Sequence, residues 1–274
     1  MRIAIEHNTT YRFETPAVQG VKRLRLRPRD CGVQNVLDWT MTIGGGTIEA
    51  EYEDHNQNQT LLVSFDHTAE EITISCRGTV ETRDTAGVIG PHHGFMPLWV
   101  FLNPTPLTKA GPLVKALAAR FAAPLAEGGN VLPVLHDLSD AVAEAIVYEQ
   151  GHTGAETTAE EALALGRGVC QDHAHAFIAA ARVLGVPARY VSGYLLMEGR
   201  IEQAAGHAWV EAHVPGLGWV GFDISNAVCP DGRHVRLAIG VDYRDAAPVT
   251  SVSVGGGEAE LSVSLAVAQQ VMAQ

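Results

Sequence analysis

No two of the four cysteines, Cys31, Cys76, Cys170 and Cys229, form a C-x-x-C pair, and they lie far apart in the 274 residues. That spacing argues against a zinc cage or a disulfide framework, so free thiols in a reducing compartment are expected, with the cytoplasm as the default location. A run of about 18 apolar residues is also missing, which excludes a helical membrane span. The opening Met1-Arg2-Ile3-Ala4-Ile5-Glu6-His7 lacks the apolar core and cleavage site expected of a signal peptide. Positive charge is scarce. With 19 Lys and Arg against 31 Asp and Glu, the net charge is -12, which argues against nucleic acid or an anionic membrane as partner. No internal repeat, low-complexity tract or D-x-D-x-D-G calcium loop occurs. What remains is 46% apolar and 18% charged, the balance of a globular protein.

The first 95 residues read as strands. Val36 to Ile43 runs into a glycine turn, and Leu61 to Phe65 and Glu71 to Cys76 are rich in β-branched residues. An antiparallel, β-sandwich-like N-terminal domain is expected over 1–95, and an α+β part carrying the chemistry over 96–274. Strands within 247–268 could pack on either. Pro104, Pro106 and Pro112 punctuate the connection. Helical periodicity then predicts helices over Leu113–Ala122, over Pro133–Tyr148 and after Thr157-Thr158, where Glu160 and Glu161 complement the N-terminal dipole. A further helix opens at Cys170 and stops at Gly185-Val186-Pro187. Strands are predicted over Ala188–Leu196, His207–Val214, Gly218–Ile224, Arg236–Val241 and Leu261–Val267.

Chemistry concentrates in the order Cys, His, Asp. Gly166-Arg167-Gly168-Val169 leads into Cys170, and a thiol at a helix N-terminus sits among unpaired N–H groups that favour a thiolate. Gly168 and Gln171 are expected to flank the bound substrate, and the Cys170 N–H is aimed at a developing oxyanion. Gln171, Trp99 and Tyr148 are polar candidates for a second donor, none of them assigned. His207, Trp209, Glu211 and His213 share one strand face; Trp219, Gly221 and Asp223 share a face of the returning strand. Only if paired residue numbers sum to an even value, through a three-residue turn at Pro215–Leu217, do His207 and Asp223 meet on one face. Such a trio supplies nucleophile, base and orienting carboxylate. Trp209 is expected to line the substrate groove, although strand aromatics as often pack.

His173 and His175 lie two apart on a helix and so face different directions, and no metal or cofactor is expected. Lys22 to Arg27 alternates charge along a strand, read as a solvated or charge-protected edge, with a phosphate or nucleic-acid patch as the sharper alternative.

At Gly168-Val169-Cys170-Gln171-Asp172, Gly185–Tyr194, His207-Ala208-Trp209-Val210-Glu211 and Gly218–Asp223 the chain resembles the transglutaminase-like superfamily. Leu24-Arg25-Leu26-Arg27-Pro28-Arg29 is similar to the β-rich region preceding that core in bacterial members. The resemblance implies a papain-like fold with Cys170 as nucleophile, His207 as base and Asp223 as carboxylate. It implies cysteine-dependent amide hydrolysis or acyl transfer on a peptide or isopeptide bond, with a peptide, a protein or a small amide as substrate. The alternatives are a non-catalytic peptide-binding module and a small-molecule thiol acyltransferase. Ile224-Ser225-Asn226 stands where relatives carry Pro-Thr-Asn, and Gly240-Val241-Asp242-Tyr243 where they carry Gly-Arg-Asp-Tyr; both departures bear on the cleft wall. The calcium dependence of animal transglutaminases is not expected.

Overall fold

The computed structural model of the chain describes residues 1–14, 17–67, 69–126, 128–255 and 259–270. Apolar–polar alternation builds its first half. β1 (Arg2–Phe13) buries Ile3, Ile5, His7 and Thr9 and leaves the residues between them less covered, the two-residue period of a strand with one face in a core. β2 (Ala17–Arg27), β3 (Gln34–Gly44), β4 (Thr47–Glu53), β5 (Gln59–Asp66) and β6 (Glu71–Thr82) follow. β1, β6 and β3 are neighbours in one antiparallel sheet, while β2, β5 and β4 are neighbours in a second. Ile3, Ile5, Ile72 and Ile74 from the first meet Leu24, Leu26, Leu61 and Val63 from the second in one core. That is a β-sandwich.

β7 (Val88–Gly90) leads to the helices. α1 (Pro112–Ala119) has proline at its first turn, α2 (Ala122–Ala126) is short, and α3 (Val131–Ala145) is capped by Asn130, which accepts from the Leu132 N–H. β8 (Val147–Tyr148) and β9 (Arg167–Gly168) form a small parallel pair around α4 (Ala159–Leu165). α5 (Cys170–Val183) then packs on a five-stranded sheet. Its strands are β10 (Ala188–Leu195), β12 (His207–Val214), β13 (Gly218–Phe222) and β14 (His234–Gly240), with β7 added at the edge. Ala174, Phe177, Ile178 and Ala181 of α5 join Val210, Ala212 and Phe222 in the second core. α6 (Tyr243–Ala246) packs on this sheet at β10 and β14, and the short β11 (Glu202–Gln203) belongs to the sandwich sheet of β1. β15 (Val249–Gly255) and β16 (Ala259–Gln269) return to the sandwich, β15 pairing with β2 and β16 with β1 and β11. Residues 256–258 and 271–274 of the expected second part lie outside the described residues.

Three expectations change. The helix read through Tyr148 stops at Ala145, because the β-favouring Val147 and Tyr148 extend and pair with Arg167 and Gly168. The helix read as Leu113–Ala122 ends at Ala119, and a short second helix follows. β2 is an interior strand between β15 and β5, not an edge. Arg25 is 1% exposed and its Nε donates to Asp54 at 2.8 Å, while the Lys22 ammonium lies 3.3 Å from the centre of the Tyr11 ring. Lys22 and Arg25 of that basic stripe are therefore internal structure, while Arg23 is exposed and Arg27 half-buried.

Side-chain amides join the sandwich to the second sheet. Along β14, which ends that sheet, Gln34 donates to the Arg236 carbonyl and accepts its N–H, both at 2.7 Å. Asn58 does the same to Ile239 at 2.8 and 2.9 Å. Two side chains thus satisfy an edge that would otherwise be open to another strand. Tyr194, Val235 and Leu237 continue the sandwich core into the second sheet.

Two buried histidines tie this packing to pH. Burial pushes His7 and His175 down to about 4 from the ordinary 6.5. Between those values the unfolded chain binds more protons than the native one, so stability falls as pH drops from 6.5 toward 4. Each site is expected to cost about 2–3 kcal/mol by the lower limit. Guanidinium unfolding at pH 6.5 and 4.5 measures the loss, and His7→Gln should flatten the slope.

Candidate active site

The site begins where α5 begins. α4 ends at Gly166 in the left-handed conformation (φ 68°), which lets the chain turn sharply into β9. Asp172, on the first turn of α5, reaches back so that Oδ2 accepts the Val169 N–H at 2.7 Å and the Thr153 hydroxyl at 2.6 Å. A Cβ on Gly168 would lie 2.5 Å from that same oxygen. Gly168 therefore makes room for the carboxylate that fixes the helix start, and it is buried. Gly168→Ala is expected to cost about 1–3 kcal/mol by overpacking, measurable by denaturant titration, and to slow Cys170 alkylation by displacing the helix terminus.

β12 and β13 place the other two groups. Val214 pairs with Gly218 and Val210 with Phe222, an even sum across a turn at residues 215–217. In that register His207 and Asp223 fall on one face, and His207 Nε2 stands 2.7 Å from Asp223 Oδ2. Cys170 and the His207 ring face the same cavity, and the thiol lies close enough to act on the charge of the ring. The structure thus brings together the three residues expected from sequence. Cys170 is half-buried, His207 is 8% exposed and Asp223 is fully buried.

The electrostatics follow from the contacts. Burial alone would lower His207, but Asp223 and Cys170 outweigh it and push it up to about 10. The ring is cationic across neutral pH. Burial likewise opposes ionisation of Asp223, yet hydrogen bonds from His207 and His234 hold it well below the usual carboxylate range. The carboxylate has further donors: Asn226 Nδ2 at 2.8 Å on Oδ2, and Ser225 Oγ at 3.0 Å on Oδ1. Ser225 falls in the departure noted at Ile224-Ser225-Asn226, and with the shared Asn226 it keeps donors on the acid.

His234 is a site residue that the sequence did not disclose. Its Nδ1 accepts the Asp231 N–H at 3.1 Å, which leaves the proton on Nε2 to donate to Asp223 Oδ2 at 3.0 Å. The signal that could have found it is a histidine just after the Cys229–Gly232 turn, where β14 starts beside β10. His207, Asp223 and His234 also offer three ligand atoms within 4.8 Å of one another. All three face the same carboxylate oxygen or its hydrogen bonds, so a cation there would have to break the His207–Asp223 contact.

Other expected site residues land elsewhere. Trp209 is 2% exposed, packs its ring near His234 and does not line the cleft. Gln171 donates to the carbonyls of Gly154 and Ala155 at 3.4 and 3.3 Å, steadying a neighbouring loop. Trp99 is 63% exposed and lies apart from the cleft. Tyr148 does line it, with Gln150, Met197, Arg200, Ser225 and Asn226, around a volume of about 210 Å³ open to Cys170 and His207. His173 is buried with both ring nitrogens against main-chain carbonyls of Val169 and Ile146, and His175 accepts the Tyr243 N–H.

Residues 119–224 match the model of the transglutaminase-like superfamily, and residues 3–81 match that of the bacterial transglutaminase-like N-terminal region. The chain thus carries a transglutaminase-like core preceded by a bacterial transglutaminase-like N-terminal region. An uncharacterized protein of Mycobacterium leprae is 29% identical over 96% of both chains, and one of Mycobacterium bovis is 27% identical over 92% of this chain and 87% of that one. A candidate cysteine protease from Cytophaga hutchinsonii, of known structure, superposes with a TM-score of 0.76 at 22% identity, covering 100% of this chain and 92% of that one. That likeness establishes the fold: a β-rich N-terminal region and a papain-like core. Among the described residues no helix is long and apolar enough to cross a membrane.

Proposed function

We propose that this protein is a cysteine-dependent amide hydrolase or acyl transferase working on peptide or isopeptide bonds through a thioester on Cys170. The observation that carries the reading is His207 held between Cys170 and the buried carboxylate of Asp223. In the first step the Cys170 thiolate attacks the amide carbonyl, and the Cys170 N–H at the open start of α5 donates to the oxyanion. Imidazolium His207 gives its proton to the leaving nitrogen as the C–N bond breaks, leaving a thioester and a neutral imidazole. That imidazole then takes a proton from water or from an acceptor amine as the new C–O or C–N bond forms and the C–S bond breaks. Asp223 orients the ring and balances its charge throughout.

The substrate enters as a peptide or protein segment, or a small amide, along the wall of Tyr148, Gln150 and the 197–206 segment. Four unpaired cysteines support a reducing, cytoplasmic setting. Alkylation by iodoacetamide tests the reading. Cys170 is expected to label faster than Cys31 and Cys229, which are also half-buried, and Cys170→Ala removes that signal and turnover of glutamine or peptide acyl donors. Equal labelling of the three thiols would count against it.

A further inference from the structure

The back of the catalytic sheet, turned away from α5, holds a second cavity of about 150 Å³ where the sandwich meets β10, β13 and β14. Its ionisable lining residues are Arg29, Arg189, Arg236, His55, His92, His93 and Cys31, with no carboxylate among them. Arg189 and Arg236 are 6% and 9% exposed, and both are held by one carboxylate, Glu211, which lies behind them at 0% exposure. Arg29 has only neutral partners, donating to the Gln57 carbonyl and side chain at 3.1 and 3.3 Å. Three guanidinium groups therefore converge with a single counter-charge between them, and burying uncompensated charge costs several kcal/mol.

Two of the histidines are already committed. His92 accepts the Trp219 indole N–H at Nδ1 and donates from Nε2 to the Met96 carbonyl, while His55 faces Asp245 at 3.4 Å. Arg189 stacks on Trp219 at 3.8 Å, which keeps its planar fork in place. What is left facing the cavity is a set of fixed guanidinium donors of the kind that grips a tetrahedral or planar oxyanion.

We infer that this cavity is a binding site for a small oxyanion of phosphate size, held by Arg29, Arg189 and Arg236. The anion supplies the missing negative charge and ties the sandwich, through Arg29, to the sheet that carries His207 and Asp223. Neither Cys170, His207 nor Asp223 lines it, and it takes no part in the acyl transfer.

Calorimetric titration of the intact protein with sodium phosphate, at ionic strength held constant with sodium chloride, tests the inference. Saturable one-site binding is expected, together with a rise in Tm as phosphate is added. Arg29→Gln, at a half-buried position whose side chain hydrogen-bonds only Gln57 among the described residues, should weaken binding roughly tenfold or more. Absence of saturable binding in the wild-type protein overturns the proposal, whatever the variant does. Equal affinity in a folded Arg29→Gln overturns it as well. A parallel titration with glycerol 3-phosphate separates the sources: tighter binding points to a phosphomonoester, equal or weaker binding to the free ion. Neither readout depends on turnover, so the outcome is independent of the reading of Cys170.

Discussion

Asp223→Asn is expected to lower turnover of any amide substrate by roughly 10³–10⁴-fold while leaving the protein folded. The carboxylate accepts from His207, His234 and Asn226 on one oxygen and from Ser225 on the other. An asparagine of the same shape cannot satisfy them all. If its NH2 faces His207 it presents a donor to a donor, and the ring must turn or adopt the tautomer with Nδ1 protonated. If its oxygen faces His207, the charge that holds the imidazolium is still gone. The pH dependence separates these losses from simple misfolding. Wild-type turnover should keep its proton donor across neutral pH, because His207 stays cationic up to about 10. In Asp223→Asn the imidazole should titrate closer to its ordinary range and the rate should fall with it. A variant within tenfold of wild type, with an unchanged profile, would remove Asp223 from the mechanism. His234→Leu makes a weaker test of the same carboxylate. Losing one charge-assisted hydrogen bond should cost about tenfold in turnover, with His234→Gln, which retains an N–H donor, recovering most of it.

The same ring sets the alkaline side of stability. Its pKa is raised above the unfolded 6.5, so its contribution is complete below that value and is lost as pH rises through about 10. His7 and His175 act in the opposite window, below 6.5. Stability should therefore peak near pH 6.5.

Much of this was legible in the chain because short-range patterns fix it. The two-residue period along His207–Val214 and Gly218–Phe222 left one unknown, the turn length, and the register with a turn at residues 215–217 puts His207 and Asp223 on one face. Thr157-Thr158 with Glu160 and Glu161 behind them marked a helix start, and the structure starts α4 there, adding a capping box between Thr158 and Glu161. What stayed hidden depends on long-range neighbours. His234 gains its role only when β14 lies beside β10 and presents Nε2 to Asp223. Gly168 looked like open backbone for substrate, yet the space belongs to Asp172. Trp209 was correctly placed on the His207 face, but periodicity cannot tell a wet face from a buried one. The same limit explains Arg25, whose alternation suggested solvent until Asp54 covered it.

Glu211→Ala is expected to destabilise the protein by about 3–5 kcal/mol, the largest loss for a residue outside the reacting groups. Glu211 shares the strand face of His207 and Trp209 and is fully buried. Burial alone would push its carboxyl up, but Arg236 and Arg189 outweigh that and hold it below its usual range. Arg189 donates from Nε at 2.7 Å, and Arg236 from Nη2 at 3.1 Å. Burial in turn lowers Arg189 to about 10, against the opposing pull of Glu211. Removing the acid strands two buried guanidinium groups with no carboxylate between them, and the cost is their desolvation more than the lost attraction. Two results discriminate this account from a plain cavity effect. Glu211→Gln keeps the volume and should still lose most of the stability in denaturant titration. Replacing the trio together, as Glu211→Leu with Arg189→Met and Arg236→Met, should recover much of it, because no charge is then buried. If Glu211→Gln unfolds at the wild-type denaturant midpoint, the buried trio is not what holds the back of the catalytic sheet together.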